Sequence, residues 1–293
     1  MPRMLAAFLV APALALACAT AIAANGQPAR PGFTIESRVL SETRRINVYT
    51  PPGYETGTVA RHPVLYMPDG GLDEDFPHVA ADVDAAIREG AMRAMIVVGI
   101  ENTERRRDMT GTTTVEGDRK IAPRVGGSAK FRAFIAEELV PEVERRYRTT
   151  AERAIVGESL AGLFVLETLF EQPELFDTYI ALSPSLWWNA GSLVEHAAAR
   201  LAAWPADLRK AVYFAHASDD DVDGKGKALA AILREHAPGG LRWHFEAWSG
   251  LDHATIYRGA SPSVFRRMFA PRQPSHGTSG AVAPDVAGLR ASR

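Results

Sequence analysis

Two hydrophobic periods alternate along the chain. Short β-branched or unbroken apolar runs at Phe33–Leu40, Arg45–Thr50, His62–Met67, Ala94–Ile100, Ala154–Gly157, Thr178–Leu182, Ala211–Ala217 and Leu241–Trp248 read as strands. Between them, Val79–Arg88, Ala129–Tyr147, Leu160–Phe170, Leu193–Leu208, Lys225–His236 and Ser263–Phe269 read as helices. Phe131, Phe134, Ile135, Leu139, Val143 and Tyr147 share one helical face, which Pro141 is expected to kink. Strands such as Ala94–Ile100 are too uniformly apolar to face water on either side. The pattern therefore predicts an α/β protein with a mostly parallel central sheet covered by helices on both faces.

Two stretches fall outside this alternation. Glu101–Ser128 is polar, rich in Gly and Thr, carries Arg105-Arg106-Arg107 and has no period, which predicts a long functional loop. From Pro271 onward Gly, Ser, Ala and Pro dominate, which predicts a disordered tail over 271–293.

Composition narrows the class. The 293 residues are 46% hydrophobic and 23% charged, enough for one large domain, read here as 24–270. A formal charge of −2 supplies no basic stripe for nucleic acid. At the amino end, Arg3, the apolar run Leu5–Ala17 and the small-x-small Ala21-Ile22-Ala23 read as a signal peptide over 1–23, cleaved near Ala23. That predicts a periplasmic or secreted protein. Cys18, the single cysteine, falls within this segment; lipidation there ranks below simple cleavage because Ala15 stands where a leucine-like residue is expected. The apolar run is too short to span a bilayer comfortably.

The chemistry gathers on Gly157-Glu158-Ser159-Leu160-Ala161-Gly162, which follows a β-branched run and opens a helix. A nucleophile elbow needs this layout. The serine sits on a tight strand-to-helix turn, with small residues two positions before and after it because the backbones nearly touch. Serine needs a base, an orienting acid and oxyanion donors before it reacts at neutral pH. His253, on the Gly-containing turn after the last strand, is the candidate base among eight histidines. Asp220, with Asp219 second, is the candidate acid in the run after Ala217. The order Ser, Asp, His is that of α/β-hydrolase triads. The Leu160 amide and a backbone amide at Gly71, in Asp69-Gly70-Gly71, are the candidate oxyanion hole. Trp187, Trp188 and Arg107 are candidates for the substrate pocket. Asp219 to Gly224 imitates the start of a calcium loop, but Ala230 stands where the loop's glutamate would be. No cofactor and no metal site is called for, and the expected partner is a small-molecule ester.

Further runs extend the pattern: Val98-Gly99-Ile100-Glu101-Asn102 with Arg107-Asp108-Met109-Thr110, Gly126-Gly127 through Phe131, Glu138-Leu139-Val140-Pro141 through Arg148, and Ser183 to Trp188. With Gly157 to Leu166 they make the chain resemble the α/β-hydrolase branch of esterase D-like, enterochelin-esterase-like and mycolyltransferase-like members, most of all its periplasmic siderophore esterases. The resemblance covers Phe33 to Phe269. It implies an α/β-hydrolase fold, Ser159 as nucleophile, His253 as base, and an acid at the end of Ala217-Ser218-Asp219-Asp220. Some of these esterases work with a Ser-His dyad. Ala161 stands where glycine is usual, and Glu158 where histidine is common. Siderophore trilactones, feruloyl or acetyl esters, and acyl transfer all remain open, as does a non-catalytic binding protein on the same scaffold.

Overall fold

A computed structural model describes residues 30–217 and 224–271. The signal peptide reading, Cys18, the carboxy-terminal tail and the candidate acids Asp219 and Asp220 lie outside these residues. Strands β1 (Arg30–Ser37), β2 (Glu42–Tyr49), β3 (His62–Met67), β4 (Ile96–Ile100), β5 (Thr149–Glu158), β6 (Thr178–Leu182), β7 (Lys210–Ala217) and β8 (Leu241–Trp248) form one sheet. Its order is β1-β2-β4-β3-β5-β6-β7-β8. β2 runs antiparallel to both β1 and β4, and every other pairing is parallel.

Alternation along the buried strands sorts two cores. Val64, Tyr66, Ile155, Tyr179, Val212 and Phe214 project to one face. Leu65, Met67, Val156, Ile180, Tyr213 and Ala215 project to the other. The first face is covered by α6 (Leu160–Glu171), α7 (Trp188–Ala202), α8 (Lys225–His236) and the helical stretch from Ser128 to Arg146. The second is covered by α1 (Phe76–Arg88) and α9 (Ile256–Met268), which also pack on each other. Among the described residues, no helix is long and apolar enough to cross a membrane.

Three sequence expectations need correction. The supposed loop 101–128 contains two short helices, α2 (Arg105–Asp108) and α3 (Glu116–Ile121), whose buried members are Asp108 and Asp118. Aspartates are buried there because Arg44 and Arg107 pair with Asp108 and the Thr113 hydroxyl donates to Asp118. A helix that buries charge leaves no apolar stripe to read. Second, Pro141 does not simply kink a helix. α4 (Ser128–Phe134) passes into a π-helical turn at Ile135–Leu139 and then into α5 (Val140–Arg146), so Pro141 sits in a first turn, where its missing N–H costs nothing. Third, the closing helix begins at Ile256 and carries Pro262 inside it.

Candidate active site

β5 ends at Glu158 and α6 starts at Leu160, leaving Ser159 alone on the turn with φ 57° and ψ −120°. A β-carbon added to Gly157 would stand 2.6 Å from the carbonyl carbon of Ala161. The turn therefore closes with glycine on one side and tolerates the extra methyl of Ala161 on the other. Backbone bonds fasten it: Ser159 N–H donates to Leu182 O at 3.0 Å, and its carbonyl accepts from Leu163 and Ser185. Ser159 Oγ consequently points off the sheet, 3.4 Å from Ser185 Oγ.

His253 reaches the same point from the edge strand β8, at the same carboxyl end of the sheet. After β8 the chain reverses at Gly250, whose φ is +85°, and Asp252 braces the next turn. Its carboxylate accepts from the Thr255 amide at 2.9 Å and from the Thr255 hydroxyl at 2.6 Å. The Thr255 hydroxyl holds the Asp252 carboxyl below its ordinary value. This places His253 Nε2 3.1 Å from Ser159 Oγ, although the two residues are 94 positions apart.

The same nitrogen stands 3.2 Å from Glu158 Oε1. Burial pushes the Glu158 carboxyl up to about 7, against the pull of His253 and Arg105, while Asp69 and Asp75 push it further up. Asp69, at φ 55°, is itself buried and held at both oxygens by Arg105, at 2.6 and 2.8 Å, with Asn102 donating to Oδ1. This brace fixes the loop after β3.

The other candidates sit as follows. Leu160 is the first residue of α6, so its N–H has no intrahelical acceptor. The Gly71 N–H donates to Glu74 Oε2 at 2.6 Å. Trp188 is buried and donates through Nε1 to Gly111 O at 3.2 Å, while its neighbour Trp187 is half-exposed with the ring centroids 5.9 Å apart. Arg107 is occupied by Glu42 and Asp108, whereas Arg106 is exposed. Arg105, Arg106, Arg107 and Arg124 line a cleft of about 410 Å³ with Glu104, Ala122 and Pro123. Glu158 carries no sequence signal beyond standing where histidine is common, and neither Ser185 nor the Asp69–Arg105 brace is marked by any motif.

The strand order and the positive-φ serine elbow define an α/β hydrolase. Within that class the chain belongs to the family described as "Putative esterase", whose model matches residues 37–235. It is 36% identical over 177 residues to the ferri-bacillibactin esterase BesA of Bacillus subtilis, an alignment covering 54% of this chain and 61% of that one. It is 45% identical over 75 residues, a quarter of each chain, to the siderophore enterobactin esterase of Emericella nidulans. The chain thus spans about three fifths and a quarter of the lengths of these two curated relatives. The solved structure of an IroE-like serine hydrolase from Shewanella oneidensis superposes with a TM-score of 0.74 at 28% identity, covering 81% of this chain and 79% of that one.

Proposed function

We propose that this chain is a serine esterase that cleaves carboxylic esters of a siderophore through an acyl-enzyme. The observation that carries the reading is the 3.1 Å approach of His253 Nε2 to Ser159 Oγ on the strained elbow. In the proposed step, Ser159 Oγ bonds to the ester carbonyl carbon as its proton passes to Nε2, and the carbonyl electron pair moves onto oxygen. The oxyanion takes the Leu160 amide and the Gly71 amide, displacing the Glu74 carboxylate that Gly71 now holds. Nε2 then returns the proton to the leaving alcohol, and water repeats the sequence on the acyl group. Asp220, or Asp219 next to it, is the orienting acid in this reading.

The siderophore substrate is supported by the names of the two curated relatives. It is also supported by Arg106, exposed in the cleft beside Arg105, which suits the net negative charge of a ferric catecholate; the other three arginines there are paired with Asp69, with Glu42 and Asp108, and with Glu104. Trp187, half-exposed, is the aromatic wall of this reading. Export to the periplasm or medium is supported by the composition of residues 1–23, and the catalytic domain is taken as 24–270.

Ser159→Ala is expected to cut p-nitrophenyl acetate turnover by about 10⁴-fold or more while preserving the circular dichroism spectrum. Offered a ferric catecholate trilactone, a feruloyl ester and short-chain esters in competition, the wild type is expected to consume the trilactone first. Undiminished turnover by Ser159→Ala ends the esterase proposal, and preference for the feruloyl ester ends the siderophore assignment.

A further inference from the structure

We propose that Glu158 is a positioning residue for the catalytic imidazole, a second carboxylate that shares the Nε2 proton of His253 with Ser159 and holds the imidazolium while the ester is attacked. This rests on the serine-esterase reading above.

Strand alternation puts the side chain there. Val156 faces the α1/α9 core, so Glu158, two positions on, faces the same side at the carboxyl end of β5. His253 arrives on that side from the turn before α9. Glu158 Oε1 is buried, and among the described residues no well-formed hydrogen bond saturates it, yet Nε2 stands only 3.2 Å away. A buried carboxylate with one lone pair left to an imidazole is an expensive arrangement unless the imidazole becomes cationic.

The chemistry follows from proton bookkeeping at one nitrogen. When Ser159 Oγ forms its bond to the carbonyl carbon, its proton moves to Nε2 and His253 becomes an imidazolium. The new N–H lies between the leaving oxygen and Glu158 Oε1, and the adjacent negative charge stabilises the cation until the proton passes to the leaving alkoxide. When the Glu158–His253 pair already carries a proton, Nε2 is occupied and cannot accept the serine proton. The resting pair must therefore be fully deprotonated before turnover, and it titrates as a unit.

The surroundings set where that happens. Facing Glu158 are His253 from the loop before α9, Tyr257 within α9, Arg105 from α2, Asp69 from the loop after β3, and Asp75 at the start of α1. Arg105 is already committed to both oxygens of Asp69, and Asp75 lies 3.4 Å from His78 Nδ1. His253 is therefore the cation best placed to balance the Glu158 charge. Burial, pushing that carboxyl up to about 7, brings its titration into the range where histidine works.

The test is the pH dependence of kcat/KM for p-nitrophenyl acetate between pH 5 and 9 in wild type, Glu158→Gln and Glu158→His, with Ser159→Ala as control. Glu158→Gln removes the anion and keeps the shape; Glu158→His removes it with a ring of different shape and guards against misfolding of the first variant. A carboxylate beside an imidazole favours its protonated form, so its removal lowers the pH at which the base is freed. The acid limb of both variants is expected to move down by about one pH unit. Their plateau is expected to fall roughly tenfold. An acid limb unchanged from wild type in both variants, with or without a lower plateau, overturns the assignment, because a merely structural Glu158 would not move it. An upward shift overturns it equally. If Ser159→Ala keeps full activity, the esterase reading itself has failed; if it is dead while the limbs coincide, only the role of Glu158 has.

Discussion

Ser159 and Glu158 are adjacent in sequence and both carry a cost. A non-glycine residue at φ 57° is strained by roughly 1–3 kcal/mol, a cost met by the packing on either side of the elbow. Glu158 adds an electrostatic cost with a definite pH signature. Its carboxyl holds its proton more tightly when folded, at about 7, than at the ordinary 4.5. The native state therefore binds more protons than the unfolded chain between these values, and stability falls as pH rises through that window. Glu158→Gln removes the ionisation. Its stability is expected to exceed that of wild type at pH 8 by at most about 3 kcal/mol, seen as a higher Tm, and the two Tm values to converge at pH 4. Equal Tm differences at both pH values would mean that the folded carboxyl ionises as it does in water. A residue whose loss stabilises the fold and slows the reaction is one retained for function.

At the scale of elements, the elbow depends on the contact between β5 and α6. A β-carbon on Gly157 would press on the Ala161 backbone, which cannot yield as a flexible side chain would. Gly157→Ala is expected to lose about 2 kcal/mol or more in denaturant unfolding, together with most esterase activity. Full activity and stability in that variant would show that strand and helix have more room than a 2.6 Å approach to the Ala161 carbonyl carbon leaves. The tightness of this turn was legible in the sequence, since Gly157, Ala161 and Gly162 are small at the positions a close crossing requires. The strand cores were legible for a similar reason: Val64, Ile155 and Ile180 belong to runs too apolar to face water. The helices α2 and α3 were not. Their order comes from Arg44, Arg107 and Thr113 reaching buried aspartates, a polar packing that leaves no hydrophobic period. Pro141 misled for the opposite reason, because a π turn upstream gives it a place that a simple helical reading does not offer.

At the scale of the whole molecule, the site is an intersection of segments distant in sequence. The parallel sheet delivers Asp69 from the end of β3, Ser159 from β5 and the His253 loop from β8, all beyond strand carboxyl ends, where open α/β sheets collect ligands. That is why order and placement in the sequence could mark Ser159 and His253 as candidates for one site, and the fold brings them within 3.1 Å. The environment of Glu158 could not be marked in that way, because it is assembled from α1, α2, α9 and two loops whose meeting only the fold reveals. Arg105 shows the same limit: one of three consecutive arginines in sequence, it alone clamps Asp69 from both sides.

The account depends most directly on Ser159 being the activated nucleophile and His253 its base. Treatment with a fluorophosphonate probe, followed by peptide mass spectrometry, measures this in one experiment. The expected result is a single adduct on the peptide carrying Ser159, formed at least about 10³-fold more slowly in His253→Ala. An adduct on another residue, or an undiminished rate in that variant, would contradict it.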